Sequence, residues 1–218
     1  MRVVQCWDDG VTTDIPLIEI LRRHQAKATF NLNTSVYQQE RSYLTTFKGT
    51  EVLRLAMSEL RGVYEGFTIG NHTVSHPSLP TLPDAEARRE IVDGRDFLQQ
   101  HFQQPVDGFA YPIGHYDARI MELVREAGHA YARTIVPTDV AFPPADPMAF
   151  HPHCHFLAED FDTKYEAAKT SGVFYFWGHS FELLDDAMWT DFERRISRIA
   201  ADPESEWAEL TDLFAAIH

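Results

Sequence analysis

The chain has 218 residues, of which 44% are hydrophobic and 24% are charged, and its formal net charge is -14 at pH 7. This composition is typical of a folded globular protein and excludes a disordered chain, and the length fits one domain over residues 1–218. The acidity argues against nucleic acid or an anionic membrane as a partner, because both repel a negatively charged surface.

Strand and helix patterns alternate along the chain. The predicted strands cover 3–7, 28–32, 66–70, 108–111, 131–135 and 172–178. Helices, predicted where apolar residues recur at helical spacing, cover 14–23, 51–61, 84–102, 117–127, 189–200 and 207–217. The stretches 33–49 and 137–152 are predicted to be loops. Such alternation predicts a mainly parallel sheet with right-handed crossovers, and therefore an α/β fold.

The two cysteines, Cys6 and Cys154, do not suggest a disulfide framework. No basic segment followed by an apolar one opens the chain, so no signal peptide is predicted. No apolar run reaches the roughly 18 residues that suggest a membrane span. We therefore expect a cytoplasmic protein from the chain as written, or a secreted one if its leader is missing from this sequence.

Five candidate polar residues fall at or just after the ends of four predicted strands: Asp8, Asp9, His72, Tyr111 and His179. In α/β barrels the carboxyl ends of the strands carry the active site. Packing alone does not require polar residues at four strand ends. The pattern predicts a catalytic site there.

The spacing of these residues suits metal-assisted hydrolysis. Of the adjacent carboxylates of Asp8 and Asp9, one can bind a metal while the other holds a proton. His72 and His76 lie four residues apart and can supply two ligands from one side of a helical turn. Two imidazoles and one carboxylate leave a coordination position open, which is typical of catalytic zinc. The distant His179 can then serve as the acid.

Two further features compete with this interpretation or extend it. Glu182 lies close enough in sequence to His179 to orient its imidazole. On an extended strand His151, His153 and His155 would share one face, so a second metal site is conceivable, with Cys154 beside it. We favour a polar loop near the cleft that contacts substrate, because no carboxylate flanks this cluster closely.

Four segments together resemble the polysaccharide deacetylase family, also called the NodB-homology or carbohydrate esterase family 4 group. They are Trp7-Asp8-Asp9-Gly10, Asn71-His72-Thr73-Val74-Ser75-His76-Pro77, Phe109-Ala110-Tyr111-Pro112-Ile113-Gly114 and Trp177-Gly178-His179-Ser180. Their order and spacing cover nearly the whole chain. The resemblance implies a distorted (β/α) barrel with about seven parallel strands.

The resemblance also implies a divalent metal held by Asp9, His72 and His76, with Zn²⁺ expected first and Co²⁺, Ni²⁺ or Mn²⁺ as alternatives. By the same implication Asp8 is the base that activates water, and His179 is the acid that protonates the leaving amine. A metal lowers the pKa of water and polarises a carbonyl, and a positioned acid or base contributes about 10²–10⁴-fold in rate.

The chain departs from the family pattern at three places. Cys6-Trp7 stands where the first motif has Thr-Phe, and the fourth motif, an Asp with a nearby Trp, is not evident. The third motif normally carries an Arg that pairs with the base, and Ala110 stands there. We hypothesise that Arg133, a lone Arg in an apolar strand, supplies this guanidinium from the next strand end. The alternative is that Arg133 pairs with a structural carboxylate.

The implied substrate is an N-acetylated sugar, or less readily an O-acetylated one, and the backbone N–H of Tyr111 is expected to help hold the oxyanion. The residues predicted to bind substrate are Trp7, Tyr111, Pro112, Arg133 and Trp177. Two alternatives remain at this point: a hydrolase that opens cyclic amides or ureides on the same fold, and a non-catalytic, metal-containing carbohydrate-binding module.

Overall fold

The structure is a computed structural model that describes residues 1–214. Its strands are β1 Arg2–Asp8, β2 Thr29–Leu32, β3 Ser42–Phe47, β4 Thr50–Arg54, β5 Thr68–Asn71, β6 Gly108–Ala110, β7 Tyr131–Arg133, β8 Cys154–His155, β9 Val173–Gly178 and β10 Glu206–Trp207. Its α-helices are α1 Asp14–Arg23, α2 Leu60–Val63, α3 Asp84–Phe102, α4 Ala118–Glu126, α5 Phe161–Ala168, α6 Asp186–Ala201 and α7 Leu210–Phe214.

The main sheet is parallel and follows the order β7-β6-β5-β2-β1-β9-β8, with β10 pairing beside the start of β1. Phe150 forms a parallel bridge with Arg133 of β7, and the same segment runs on into β8 at the other end of the sheet. The sheet therefore curls into a distorted barrel, and the predicted α/β fold is confirmed.

The strands are hydrophobic because they are covered on both faces, as parallel sheets are. In β1 every residue after Arg2 is buried. Trp7 is fully buried and packs against Phe156 and Phe192, with ring centroids 5.0 and 5.4 Å away. Its Nε1 donates a hydrogen bond to Gln5. Burial of one such large side chain stabilises the fold by about 1.5–3 kcal/mol.

The loop predicted at 33–49 and the helix predicted at 51–61 are both wrong in part. An antiparallel hairpin, β3 and β4, occupies this region, and only a four-residue helix, α2, follows it. Lys48 and Gly49 connect the strands with φ angles of 46° and 86°, as expected for a type I′ hairpin turn. The apolar residues between 52 and 60 imitate a helical stripe, but β-branched residues and cross-strand pairing decide the structure.

Other differences concern short or terminal elements. Neither β8 nor α5 was predicted. Helix α6 begins three residues before the predicted Trp189, because the side chain of Asp185 caps it by accepting from the N–H of Met188 at 2.8 Å. The helix predicted at 207–217 is confirmed only in part: β10 occupies its start, α7 covers Leu210–Phe214, and its last three residues lie outside the described part of the chain.

Within residues 1–214, no helix combines the length and apolar character needed to cross a membrane. Cys6 and Cys154 are both buried free thiols.

The acid stability of the fold depends on buried neutral histidines. His129 is 4% exposed, and its Nε2 faces the amide N–H of Asn71 at 3.2 Å. Burial and the nearby Arg95 lower the pKa of His129 from 6.5 to about 3. Below pH 6.5 the His129 imidazole is protonated in the unfolded chain but stays neutral in the folded chain. Stability is therefore lost as the pH falls through this window.

We expect His129→Gln, which keeps an acceptor for Asn71, to make the free energy of unfolding less dependent on pH. Between pH 6.5 and 4 its slope should decrease by up to about 1.4 kcal/mol per pH unit. Urea unfolding at a series of pH values measures this slope. The exposed His115→Gln is the control. An unchanged slope in His129→Gln would contradict the assignment.

Candidate active site

A pocket of about 160 Å³ opens at the carboxyl ends of the barrel strands. It is lined by Asp8, Asp9, His72, His76, Tyr111, Ile113, Gly114, Arg133, Ile135, Trp177 and His179. The five residues selected for their position after strands all reach it. The parallel sheet explains this convergence, because the carboxyl ends of parallel strands share one edge.

The backbone at the end of β1 sends the two carboxylates to different partners. Asp9 adopts a left-handed conformation with φ of 81°, which is uncommon for a residue other than glycine. Gly10 follows at φ of 66°, and a Cβ there would lie 1.9 Å from the hydroxyl of Tyr37. Asn31, the register partner of Asp8, donates to Asp8 Oδ1 at 2.9 Å. Asp8 is thereby held in the wall while Asp9 faces the histidines.

The predicted histidine pair converges, but not on a helical turn. The segment after β5 is irregular, and Thr73 and His76 have φ angles of 70° and 62°. Asn71 fixes this bend by accepting from the N–H of Thr73 at 3.0 Å. The rings of His72 and His76 lie 4.7 Å apart between centroids. Left-handed turns, rather than helical periodicity, therefore bring the two imidazoles together.

Asp9, His72 and His76 fit a divalent metal. Asp9 Oδ1 lies 3.9 Å from Nε2 of His72 and 4.0 Å from Nε2 of His76. His72 Nδ1 donates to the carbonyl of Ala110 at 2.8 Å, which fixes the tautomer and leaves Nε2 with its lone pair. Burial lowers the pKa of His72 to about 4, so the ring is neutral. Two imidazoles and a carboxylate are a usual donor set of hydrolytic zinc.

Arg133 pairs with Asp8, as hypothesised from the sequence. The guanidinium Nη2 of Arg133 donates to Asp8 Oδ2, and the two side chains are 2% and 3% exposed. Ala110 and Arg133 are register partners on β6 and β7. Arg133 on β7 therefore reaches the position beside Asp8 that an arginine at Ala110 of β6 would occupy. Trp177 covers it, with the guanidinium 4.6 Å from the ring centroid.

Asp8 is an ionised acceptor in this setting. Burial opposes its charge, but Arg133, His72 and His179 outweigh burial and hold the pKa of Asp8 at about 2. The carboxylate is therefore deprotonated at neutral pH and can accept a proton.

His179 reaches the pocket from β9 with its outer nitrogen free. Its Nε2 lies 3.9 Å from Oδ2 of Asp8 and 3.9 Å from Oδ2 of Asp9. Glu182 Oε2 accepts from Nδ1 of His179 at 3.3 Å and from its backbone N–H at 3.1 Å. Burial opposes protonation, but Glu182, Asp8 and Asp9 outweigh it and raise the pKa of His179. The ring is thus suited to carry and deliver a proton at Nε2.

The expected oxyanion donor must be corrected. The N–H of Tyr111 donates to the carbonyl of Arg133 at 3.2 Å as part of the sheet, so it is not free. Ile113 lines the pocket two residues later, with φ of 60°. This is a strained conformation for a β-branched residue. Among the hydrogen bonds of residues 1–214, none uses the N–H of Ile113. The N–H of Ile113 is therefore a better candidate for the oxyanion donor than the N–H of Tyr111.

The predicted substrate contacts divide into two groups. Tyr111, Arg133 and Trp177 line the pocket, although Tyr111 is fully buried and its hydroxyl donates to Met148. The prediction for Trp7 is wrong, because the ring is enclosed in the core on the other side of β1. Pro112 is buried and does not line the pocket.

His151, His153 and His155 do not form a joint metal site. His151 Nδ1 lies 2.5 Å from Oγ1 of Thr134, and the buried His153 accepts the N–H of Tyr175 at Nδ1. Only His155 turns toward the site, where it contacts Glu182. The sequence alone assigns no individual role to Asn31, Ile113 or Ile135, because only their tertiary positions give them one.

We expect the protein to bind one equivalent of Zn²⁺ through Asp9, His72 and His76. His76→Gln removes a direct ligand at a half-buried position and should lower zinc affinity by more than the roughly 10–100-fold that loss of an outer-shell partner costs. His151→Gln is the control, since that ring lies outside the pocket. Calorimetric titration of zinc into the metal-free protein measures both. Equal affinities for the two variants would contradict the assignment.

We expect Arg133→Met to lower the free energy of unfolding by about 3–5 kcal/mol, because it leaves the buried Asp8 carboxylate without its cation. Adding Asp8→Asn should recover most of this loss. A second rescue, Ala110→Arg with Arg133→Ala, should recover part of it by returning the guanidinium from the neighbouring strand. Urea unfolding measures each variant. Additive losses in the Asp8–Arg133 pair would contradict the coupling.

Comparison with known proteins agrees with this geometry. The profile of the polysaccharide deacetylase family matches residues 1–132. A peptidoglycan-N-acetylglucosamine deacetylase of Bacillus cereus is 28% identical over 125 residues, which are 56% of this chain and 51% of that protein. The chain therefore spans about half the length of this relative.

Solved structures show the same fold at low sequence identity. A family 4 carbohydrate esterase from Streptomyces lividans, in complex with acetate, has a TM-score of 0.63 at 17% identity and covers 95% of this chain and 91% of its own. The Streptococcus pyogenes deacetylase PplD, also in complex with acetate, has a TM-score of 0.56 at 21% identity, covering 67% and 61%. With more than half of its length matched by the family profile, this chain belongs to the polysaccharide deacetylase family.

Proposed function

We propose that this protein is a divalent-metal-dependent hydrolase that removes the acetyl group from an N-acetylated carbohydrate. The observation that carries the proposal is the placement of two proton-transfer groups beside one metal-ligand set. Asp8, ionised by Arg133, and Nε2 of His179 lie 3.9 Å apart, next to Asp9 and the histidine pair. A site that only binds a ligand needs neither group.

The residues divide the work of amide hydrolysis. Asp8 accepts a proton from the attacking water, and His179 delivers one to the leaving nitrogen from Nε2. The N–H of Ile113 donates to the developing oxyanion, where a preorganised donor is worth most. A divalent cation held by Asp9, His72 and His76 supplies Lewis-acid polarisation of the acyl carbonyl when bound.

The size and lining of the pocket support an acetyl group as the part that enters it. At about 160 Å³ it is smaller than the 300–1,000 Å³ of typical ligand sites. Ile113, Ile135 and Trp177 give it apolar walls that suit a methyl group. Ile113 and Ile135 are 52% and 40% exposed, so the pocket mouth is open to solvent. The sugar would then remain at the mouth.

An amide substrate is favoured over an ester by the acid. A sugar amine leaves poorly unless it is protonated, and His179 is held by Glu182 in the orientation that allows this. A hydrolase that opens cyclic amides would be favoured if no guanidinium lay beside Asp8, because Ala110 stands where the family has an arginine. Arg133 now occupies that place beside Asp8, so this reason no longer favours ring opening.

The proposal predicts zinc-dependent release of acetate from N-acetylglucosamine oligomers or acetylated xylan. Asp8→Asn should lower the rate by about 10²–10⁴-fold, because it removes the base. Asp139→Asn is the matched control, since that side chain is 97% exposed. Acetate is quantified after metal-free protein is reloaded with zinc.

The outcomes separate the three functions. Acetate release that is lost in Asp8→Asn supports the deacetylase. Ring opening of a cyclic amide without acetate release would replace it with the hydrolase alternative. Binding of oligosaccharide with no turnover of either substrate class would replace it with the binding module.

A further inference from the structure

His155 is the one member of the 151–155 histidine cluster that faces the site. It lies at the end of β8, in register with Trp177 of β9. Its ring packs edge-on against Trp177 with centroids 4.9 Å apart, and its Nε2 lies 2.8 Å from Glu182 Oε2. Its side chain is 26% exposed, and it does not line the pocket.

The tautomer of His155 is set by its other nitrogen. The backbone N–H of Leu157 donates to Nδ1 of His155 at 3.3 Å. Nδ1 is therefore an acceptor, and the ring hydrogen is on Nε2. His155 thus donates from Nε2 to Glu182.

Glu182 Oε2 consequently receives three N–H donors. They are Nε2 of His155, Nδ1 of His179 and the backbone N–H of His179, at 2.8, 3.3 and 3.1 Å. The two contacts with His179 come from the same short turn as Glu182 itself. His155 is the donor that comes from another strand. It ties the carboxylate to the rigid sheet.

We propose that His155 is a positioning residue for the acid, holding Glu182 in the orientation that keeps Nδ1 of His179 protonated and Nε2 directed into the pocket. The proposal rests on the proposed function for its catalytic consequence. The hydrogen-bonded chain itself, from Leu157 through His155 and Glu182 to His179, does not depend on the substrate.

His155, Glu182 and His179 also have donor atoms close enough to hold a metal ion. The contact of Leu157 argues against this. A cation on Nε2 of His155 requires the hydrogen to move to Nδ1, where it would face the N–H of Leu157. The arrangement therefore favours a hydrogen-bonded relay over a second metal site.

The first test reads the tautomers without substrate. Long-range ¹H–¹⁵N NMR on zinc-loaded, ¹⁵N-histidine-labelled protein should show His155 protonated at Nε2 only and His179 protonated at Nδ1. In His155→Phe, which keeps a ring against Trp177 but has no donor, the Nδ1–H signal of His179 should broaden or vanish. A His155 protonated at Nδ1, or an unchanged His179 signal, would overturn the proposal.

The second test compares leaving groups. A 4-nitrophenolate leaves without a proton, so 4-nitrophenyl acetate does not need the acid, whereas an N-acetylated sugar does. We expect His155→Phe to lower kcat on the sugar by about tenfold and on the aryl ester by less than about twofold. His155→Gln, whose amide N–H replaces Nε2–H, should stay within about threefold of the wild type on both. His151→Gln is the control.

Equal losses on both substrates in His155→Phe would show a merely structural role, and no loss on the sugar would show that Glu182 needs no second support. Either result overturns the proposal. If the unsubstituted protein releases no acetate, the proposed function fails, while the NMR comparison still decides whether His155 positions His179.

Discussion

The buried ion pair between Asp8 and Arg133 is the constraint on which the architecture of the site depends. Strand β7 lies four steps from β1 in the sheet order, so their ends meet only because the sheet curls. A buried pair of this kind adds little net stability over apolar packing, but loss of one partner is costly. The pair therefore contributes chiefly to the specificity of the fold. Arrangements that separate β1 from β7 would leave the charges of Asp8 and Arg133 buried without a partner. Trp177 closes the remaining face of the guanidinium from β9, so strands from both sides of β1 meet at this contact.

The same curl explains why the pocket can be built from short, strained turns. Asp9, Thr73, His76 and Ile113 all have left-handed backbone conformations, which cost free energy unless the surroundings fix them. They occur where strands end and the chain must turn back toward a helix. Hydrogen bonds at the strand ends hold them, such as the one that the N–H of Thr73 donates to Oδ1 of Asn71, the last residue of β5. The rigid barrel thus supports local strain, and the strained residues present the functional groups.

Local patterns in the sequence predicted the parallel α/β sheet and the edge that carries the polar site, whereas the distorted barrel was implied by the resemblance to the family. Apolar strands ending in Asp8, His72 and His179 place those residues on one edge, whatever the details of the loops. The hairpin β3–β4 was missed because its apolar residues also fit a helical stripe, and only strand pairing distinguishes the two. Arg133 could be assigned to Asp8 only as a hypothesis, since the register of Ala110 and Arg133 is a tertiary fact. The burial of Trp7 and the turn of His155 toward Glu182 depend on side-chain packing, which no spacing encodes.

His72 and His179 line the same small pocket but favour opposite protonation states. The difference comes from the group that accepts the hydrogen bond of each Nδ1 atom. His72 donates to a backbone carbonyl, which fixes the tautomer without offering a negative charge, and burial then keeps the ring neutral. His179 donates to the Glu182 carboxylate, which outweighs burial and favours the protonated ring. A neutral imidazole is what a metal ligand requires, and a protonated one is what an acid requires. In the proposed function, this division of roles is determined outside the pocket, by the carbonyl of Ala110 and the carboxylate of Glu182, and we expect residues that hold these two groups to influence the chemistry without touching the substrate.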